Sequence, residues 1–138
     1  QHLAAMHLKA HAIKEARIRT SQEFNIYMEE ICKNIHDFCE SYNRNERMGG
    51  ILLIRNLVDV VYAEHDLHLQ KLGRYLQKII DNGTNIRVSV SDNINEIAAE
   101  TLGKLVQANP TSADIFEREV KQAFKWLASG NSSSSRNE

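Results

Sequence analysis

The sequence predicts an all-α fold, an α-solenoid of about three stacked helix pairs. Three observations predict it. Apolar residues recur at three- and four-residue spacing through nearly all of the 138-residue chain, which is the period of one helix face. Strand-like alternation is almost absent, and there is one proline. Residues 51–61 carry eight apolar side chains in eleven positions, with only Arg55, Asn56 and Asp59 polar. A helix apolar around most of its circumference must be covered on two or more sides, so the helix at 49–61 belongs to the inner layer of a stack.

Taken in order, the first helix spans 2–19, with Leu3, Met6, Ala10, Ile13 and Ala16 or Arg17 on one face. Ser21 caps the second, and Glu23 suits the positive end of its dipole. That helix has the cleanest stripe: Phe24, Met28, Ile31, Ile35, Phe38 and Tyr42 advance by 4, 3, 4, 3 and 4. Residues 41–45 form a turn. The third helix enters through Asn45-Glu46-Arg47-Met48 and carries Gly49 and Gly50 in its first turns. Glycine inside a helix costs about 1 kcal/mol, and close approach of a neighbouring helix accounts for it better than a phosphate site. No G-x-x-x-x-G-K-[ST] pattern occurs and no strand precedes these glycines.

A fourth helix begins near His65-Asp66, buries Leu69, Leu72, Leu76 and Ile79, and ends at Asp81-Asn82-Gly83. The alternation Ile86-Arg87-Val88-Ser89-Val90 lies in the stretch 84–91, read as loop or a turn of helix, since a lone strand has no partner. Ser91 or Asp92 caps the fifth helix, whose face is Ile94, Ile97, Ala98, Thr101, Leu102, Leu105 and Val106. Asn109-Pro110 stops it. The sixth starts after Ser112 and presents Phe116, Val120, Ala123, Phe124 and Leu127, with Trp126 alongside. The serine-rich tail, 131–138, is low-complexity and expected to be disordered.

The helices repeat. Laying GGILLIRNLV (49–58) on IAAETLGKLV (97–106) gives an offset of 48 residues. Small residues open both segments and Leu-Val closes both. A helix pair recurring at about 40–47 residues is the mark of HEAT and armadillo solenoids, and the 84–91 loop accounts for the slight excess. The expected division is a weak first HEAT-like pair at 1–43, a second at 44–90, a third at 91–130 and the tail.

Composition bounds the function classes. The chain is 42% hydrophobic and 25% charged with a formal net charge of −1. That argues for a folded protein and gives no global field for nucleic acid or an anionic membrane. The local bias is at 1–20, where Lys9, Lys14, Arg17 and Arg19 face only Glu15. These four cations lack interleaved aromatics, so a solvated face is the default. No apolar run reaches the roughly 20 residues of a membrane span. The basic, amphipathic start is compatible with a transit peptide, but a piece of a longer chain explains Gln1 better.

Cys32 and Cys39, about 10 Å apart on one helix, are too distant for a disulfide, and two free cysteines fit a reducing compartment such as cytosol or nucleus, the expected location being cytoplasmic, with membrane-peripheral and nuclear as alternatives. Cys32-x3-His36-x2-Cys39 puts three metal-capable groups on one face. Structural zinc wants four ligands, so buried core-edge cysteines are the better reading. His7 with His11, and His65 with His68, have helical spacing but no H-E-x-x-H pattern, and are read as surface histidines. Trp126 and Phe116 are read as core. No nucleophile elbow, triad or kinase signature occurs. No catalytic, cofactor-binding or metal residue is assigned.

The later helices resemble a known family. Leu72-Gly73-Arg74-Tyr75-Leu76-Gln77-Lys78-Ile79-Ile80 is followed by Ala98-Ala99-Glu100-Thr101-Leu102-Gly103-Lys104-Leu105-Val106. Then comes Ile115-Phe116-Glu117-Arg118-Glu119-Val120-Lys121-Gln122-Ala123-Phe124-Lys125-Trp126-Leu127, with Gly49-Gly50-Ile51-Leu52 ahead of all three. This ordered set, within 22–127, resembles the N-terminal HEAT repeats of the TOR (target of rapamycin) serine/threonine kinases, while 1–20 match poorly. The resemblance implies a scaffold and protein-interaction segment of a very large kinase that controls cell growth. It also implies a raptor-type subunit and flanking HEAT repeats as partners, and ATP and magnesium bound only in a distant kinase domain. Two other readings stand beside it: a HEAT or armadillo adaptor without kinase activity, and a small metal or redox protein using Cys32, His36 and Cys39.

Overall fold

A computed structural model of the chain describes residues 2–62, 64–85, 94–110, 113–117, 121 and 125. Five helices are traced: α1 (His2–Ile18), α2 (Ser21–Glu40), α3 (Arg44–Leu57), α4 (His65–Asn85) and α5 (Ile94–Ala108). Residues 113–117 are also helical, and there is no strand among the described residues. The expected strand-like alternation at 86–90, the cap at Ser91 or Asp92, the side chains of Val120, Ala123, Phe124, Trp126 and Leu127, and the tail lie outside the described residues.

The helices form two layers. α1 packs on α3 and α3 on α5, giving one layer; α2 packs on α4, giving the other. Across the layers α2 meets α3 and α4 meets α5, while α1 touches α2 only lightly. This is the expected all-α, solenoid-like arrangement. The matched segments occupy equivalent places. Gly50, Ile51, Ile54 and Leu57 are buried on α3, and Ala98, Ala99, Leu102 and Leu105 are buried at the same 48-residue offset on α5. Each buried Ile or Leu contributes about 1.5–3 kcal/mol.

Local chemistry sets the ends. The N-cap of α2 is Thr20, not Ser21: the Thr20 hydroxyl accepts a hydrogen bond from Glu23 N–H at 3.2 Å. Asn43 caps α3, its Oδ1 accepting from the N–H groups of Asn45 (2.8 Å) and Glu46 (3.3 Å). The tight turn between α2 and α3 is fastened twice more. Ser41 donates its hydroxyl to the Glu46 carboxylate, and Arg47 Nη1 donates to Ser41 O at 2.9 Å.

α3 ends at Leu57, with Val58 as C-cap. The expected helix to Val61 is too long because Val58 and Val60 stay buried in the connection, so the apolar run outlasts the helix. α4 runs through Gly83 to Asn85, past the expected stop. α5 ends at Ala108, with Asn109 N–H still bonded to Leu105 O at 3.0 Å, as the Asn-Pro pair predicts.

Two expected faces are corrected. On α1 the buried positions are Ala5 and Ala12, with Leu8 and Ala16 packed partly against the core. Leu3 (65% exposed), Met6 (59%) and Ile13 point outward. Both stripes have helical spacing; alanines win the interior because they let α3 approach closely, and interaxial distance depends on side-chain size. On α2 the buried seam runs Phe24, Met28, Ile31, Cys32, Ile35 and Cys39, leaving Phe38 and Tyr42 exposed. The cause is Gly50: a Cβ built there would stand 2.9 Å from Cys39 Sγ and 3.2 Å from Phe38 Cβ. Only a small residue fits at such a crossing, so the seam passes through Cys39.

Candidate functional site

The metal-capable set on α2 does not come together as a site. Cys32 and Cys39 are free thiols buried in the core. Burial pushes Cys32 up to about 11 and Cys39 up to about 12, and a thiol held protonated is neither a good metal ligand nor a nucleophile. His36 faces the surface instead, 3.2 Å from the Glu40 carboxylate and with its ring 4.8 Å from that of Tyr75. No group of three or more His, Cys, Asp or Glu side chains able to hold a metal ion occurs among the described residues.

The histidine pairs divide. His7 and His11 are exposed on α1, and His11 Nδ1 lies 2.6 Å from the Tyr27 hydroxyl oxygen. His65 and His68 are buried, contrary to the expected surface placement. Each finds a partner that the linear sequence does not reveal. His65 Nε2 is 3.0 Å from Val58 O, and His68 Nδ1 is 2.5 Å from the Tyr62 hydroxyl. Tyr62 stands edge-on to Phe24 with ring centroids 4.9 Å apart. Burial depresses the His68 pKa, with Lys71 adding to the effect; burial likewise raises the Tyr62 phenol far above its usual range.

Of the glycines, Gly50 has the packing role expected, whereas a Cβ at Gly49 would meet nothing within 4 Å. Gly73 was not singled out by the sequence. A Cβ there would fall 2.6 Å from the ring of Phe116, so Gly73 on α4 is the seat of that buried aromatic. The basic bias of α1 is partly spent internally. Lys9 and Lys104 both reach the Asp59 carboxylate, at 3.4 and 3.5 Å, tying α1, the α3–α4 connection and α5 together. Arg19 pairs with Glu15 and lies over the Tyr27 ring.

The feature with the character of a site is a groove of about 260 Å³ between α2 and the first half of α4. Its alignment follows from two contacts further along: His36 stacks by Tyr75, and Glu40 pairs with Lys78. The helices therefore run parallel, placing Asn25 and Glu29 opposite the start of α4. Asn25 Oδ1 is shut off from solvent without a hydrogen-bond donor, a state that costs about 1–3 kcal/mol. Glu64, Leu67, His68, Gln70, Lys71 and Arg74 complete the walls. Leu67 is 57% exposed, and Lys71 and Arg74 have no ion-pair partner among the described residues. Nothing in the apolar periodicity marks this groove, because its residues are the polar flanks of two unremarkable stripes.

The fold and these surfaces define a class: a helical, solenoid-like segment with surfaces to offer and no assembled reaction centre among the described residues. Among curated proteins, the chain is similar to TOR kinases. It is 29% identical over 127 residues to serine/threonine-protein kinase TOR2 of Saccharomyces cerevisiae, covering 88% of this chain. It is 26% identical over 125 residues to tor1 of Schizosaccharomyces pombe (90% of this chain) and 27% over 121 residues to TOR of Oryza sativa subsp. japonica (87%). The chain spans about 5% of the length of each of these relatives. No family model and no solved structure matches it. The resemblance to TOR kinases expected from the ordered helices thus extends over about nine-tenths of the chain.

Proposed function

We propose that this chain is a scaffold segment of a TOR-like serine/threonine kinase that controls cell growth. The observation that carries the reading is the similarity to several TOR kinases across about 90% of the chain. The two-layered helical stack supports it, since stacked helix pairs create extended binding surfaces. The outward stripe of Leu3, Met6 and Ile13 adds support: it is an end face suited to a further helix of the same layer. In this reading the helices divide into repeats at 1–43, 44–90 and 91–130, phosphoryl transfer with ATP and magnesium belongs to a distant domain of the parent chain, and the segment holds a raptor-type subunit in the cytoplasm. An adaptor without a kinase is less favoured, because the relatives found are kinases.

Sequencing the complete transcript tests the first part. A kinase domain far downstream in the same reading frame is expected, and a reading frame that closes without one overturns the proposal. Affinity purification of the parent chain tests the second. Recovery of a raptor-type subunit, lost on deleting residues 2–110, is expected; undiminished recovery removes that role.

A further inference from the structure

We propose that the α2–α4 groove docks a short extended segment of a partner protein, with a basic side chain at one end, an apolar one in the middle and an acidic one at the other. The proposal rests on the scaffold reading only in expecting a protein as partner, and does not require a kinase.

Four features of the groove point to this occupant. The Asn25 Oδ1 acceptor is enclosed in the groove wall without a donor, and a turn of this part-exposed amide lets it take a backbone N–H, the donor that every extended segment carries. Leu67, at the wall and largely exposed, offers an apolar contact midway along. The charge changes sign along the groove: Glu64 marks the end nearer the start of α4, Lys71 and Arg74 lie about two and three turns on, and Glu29 stands between them. Lastly, the span fits. From Glu64 to Arg74 is about 15 Å at ~1.5 Å of rise per residue, which an extended chain covers in about four to five residues. Beyond Arg74 the Glu40–Lys78 ion pair bridges the two helices.

A nucleic acid fits less well. Its phosphates would face Glu29 and Glu64, and no Phe, Tyr or Trp lines the groove to stack a base. A free anion would use Lys71 and Arg74 but leave Asn25 and Leu67 without a role.

The test is selection of short random peptides displayed on phage against this chain and against the Lys71→Glu/Arg74→Glu variant, with thermal melting to show that both are folded. The native chain is expected to enrich peptides with the base–apolar–acid order. Their affinity should fall about tenfold on Asn25→Leu, the loss of a hydrogen bond in a closed site. It should fall at least as far on the charge reversal, and selection on the reversed variant should replace the acid by a base. Should Asn25→Leu melt early, the reversal alone decides. Failure to enrich any peptide, or peptides that bind the reversed variant undiminished, overturns the proposal, as does binding of inorganic phosphate or RNA that outcompetes the selected peptides. None of these results bears on whether the parent chain encodes a kinase, which the transcript decides separately.

Discussion

At the scale of single residues, adjacent glycines in α3 carry opposite predictions. Gly49 has open space where a Cβ would go, so Gly49→Ala should stabilise the chain by about 0.5–1 kcal/mol through helix propensity alone. At Gly50 the same gain is outweighed, because the new methyl meets Cys39 Sγ at 2.9 Å and the Cys39 backbone nitrogen at 3.3 Å. A thiol can turn aside, but a backbone at a helix crossing cannot. Gly50→Ala should cost about 1–3 kcal/mol net, and adding Cys39→Ala should recover part of it. Urea unfolding of the three variants checks the signs; stabilisation by Gly50→Ala would show that α2 and α3 are not in close contact.

His68 supplies a pH dependence. Its folded pKa is lowered by burial and by Lys71, so the unfolded chain takes up the proton first as pH falls. The stability that neutral His68 contributes is therefore fully present above the unfolded value of about 6.5 and is lost as pH drops through the folded pKa. The melting temperature should fall between pH 7 and pH 5, and His68→Gln should flatten that fall. An equal slope in the variant would assign the effect to other groups.

At the scale of elements, the two stripes of α1 give a direct test. Leu3→Gln and Met6→Gln should change stability by no more than about 0.5 kcal/mol, as exposed substitutions do. Ala12→Leu should cost about 1–3 kcal/mol by overpacking the α1–α3 contact. The reverse ranking would restore the face that the larger apolar residues suggest. On α3, Ile54 is fully buried whereas Leu53 is partly exposed. Ile54→Asp should therefore unfold the chain, and Leu53→Asp should weaken it less, since an unpaired charge is penalised in proportion to its burial.

These elements show how much was legible beforehand. Periodicity was enough to place α2, α3, α4 and α5, because their stripes are long, although the capping signals misplaced the start of α2 and the end of α4. It misjudged α1 because small and large apolar residues share the same spacing, and only the neighbouring helix decides which set is enclosed. It missed the Gly73–Phe116 seat, the Tyr62–His68 pair and the α2–α4 groove for one shared reason. Each is made by residues on different helices, and a single-helix pattern contains no information about what lies opposite.

At the scale of the whole molecule, two layers enclose a continuous core from Phe24 on α2 to Phe116 beyond α5, but the stack is not closed at the α1 end. Leu3, Met6 and Ile13 form an apolar stripe on the side of α1 away from its buried alanines, and such stripes in soluble proteins mark places that another surface covers. In a solenoid each helix pair contacts only its neighbours, so a terminal pair without a polar cap is the first to associate. The chain on its own should therefore self-associate as its concentration rises, with a sedimentation coefficient that increases and an unchanged helical spectrum. Leu3→Glu and Met6→Glu together should return it to a monomer without loss of melting temperature, because neither supports the core. The basic residues of α1 allow a control on mechanism. If charge were responsible, raising the salt concentration would dissociate the assembly within the range where surface ion pairs are screened; association through the apolar stripe persists or strengthens there. A chain that remains monomeric at high concentration with the stripe intact would mean that this face needs no cover, and the end-on stacking in the proposed scaffold would lose its support.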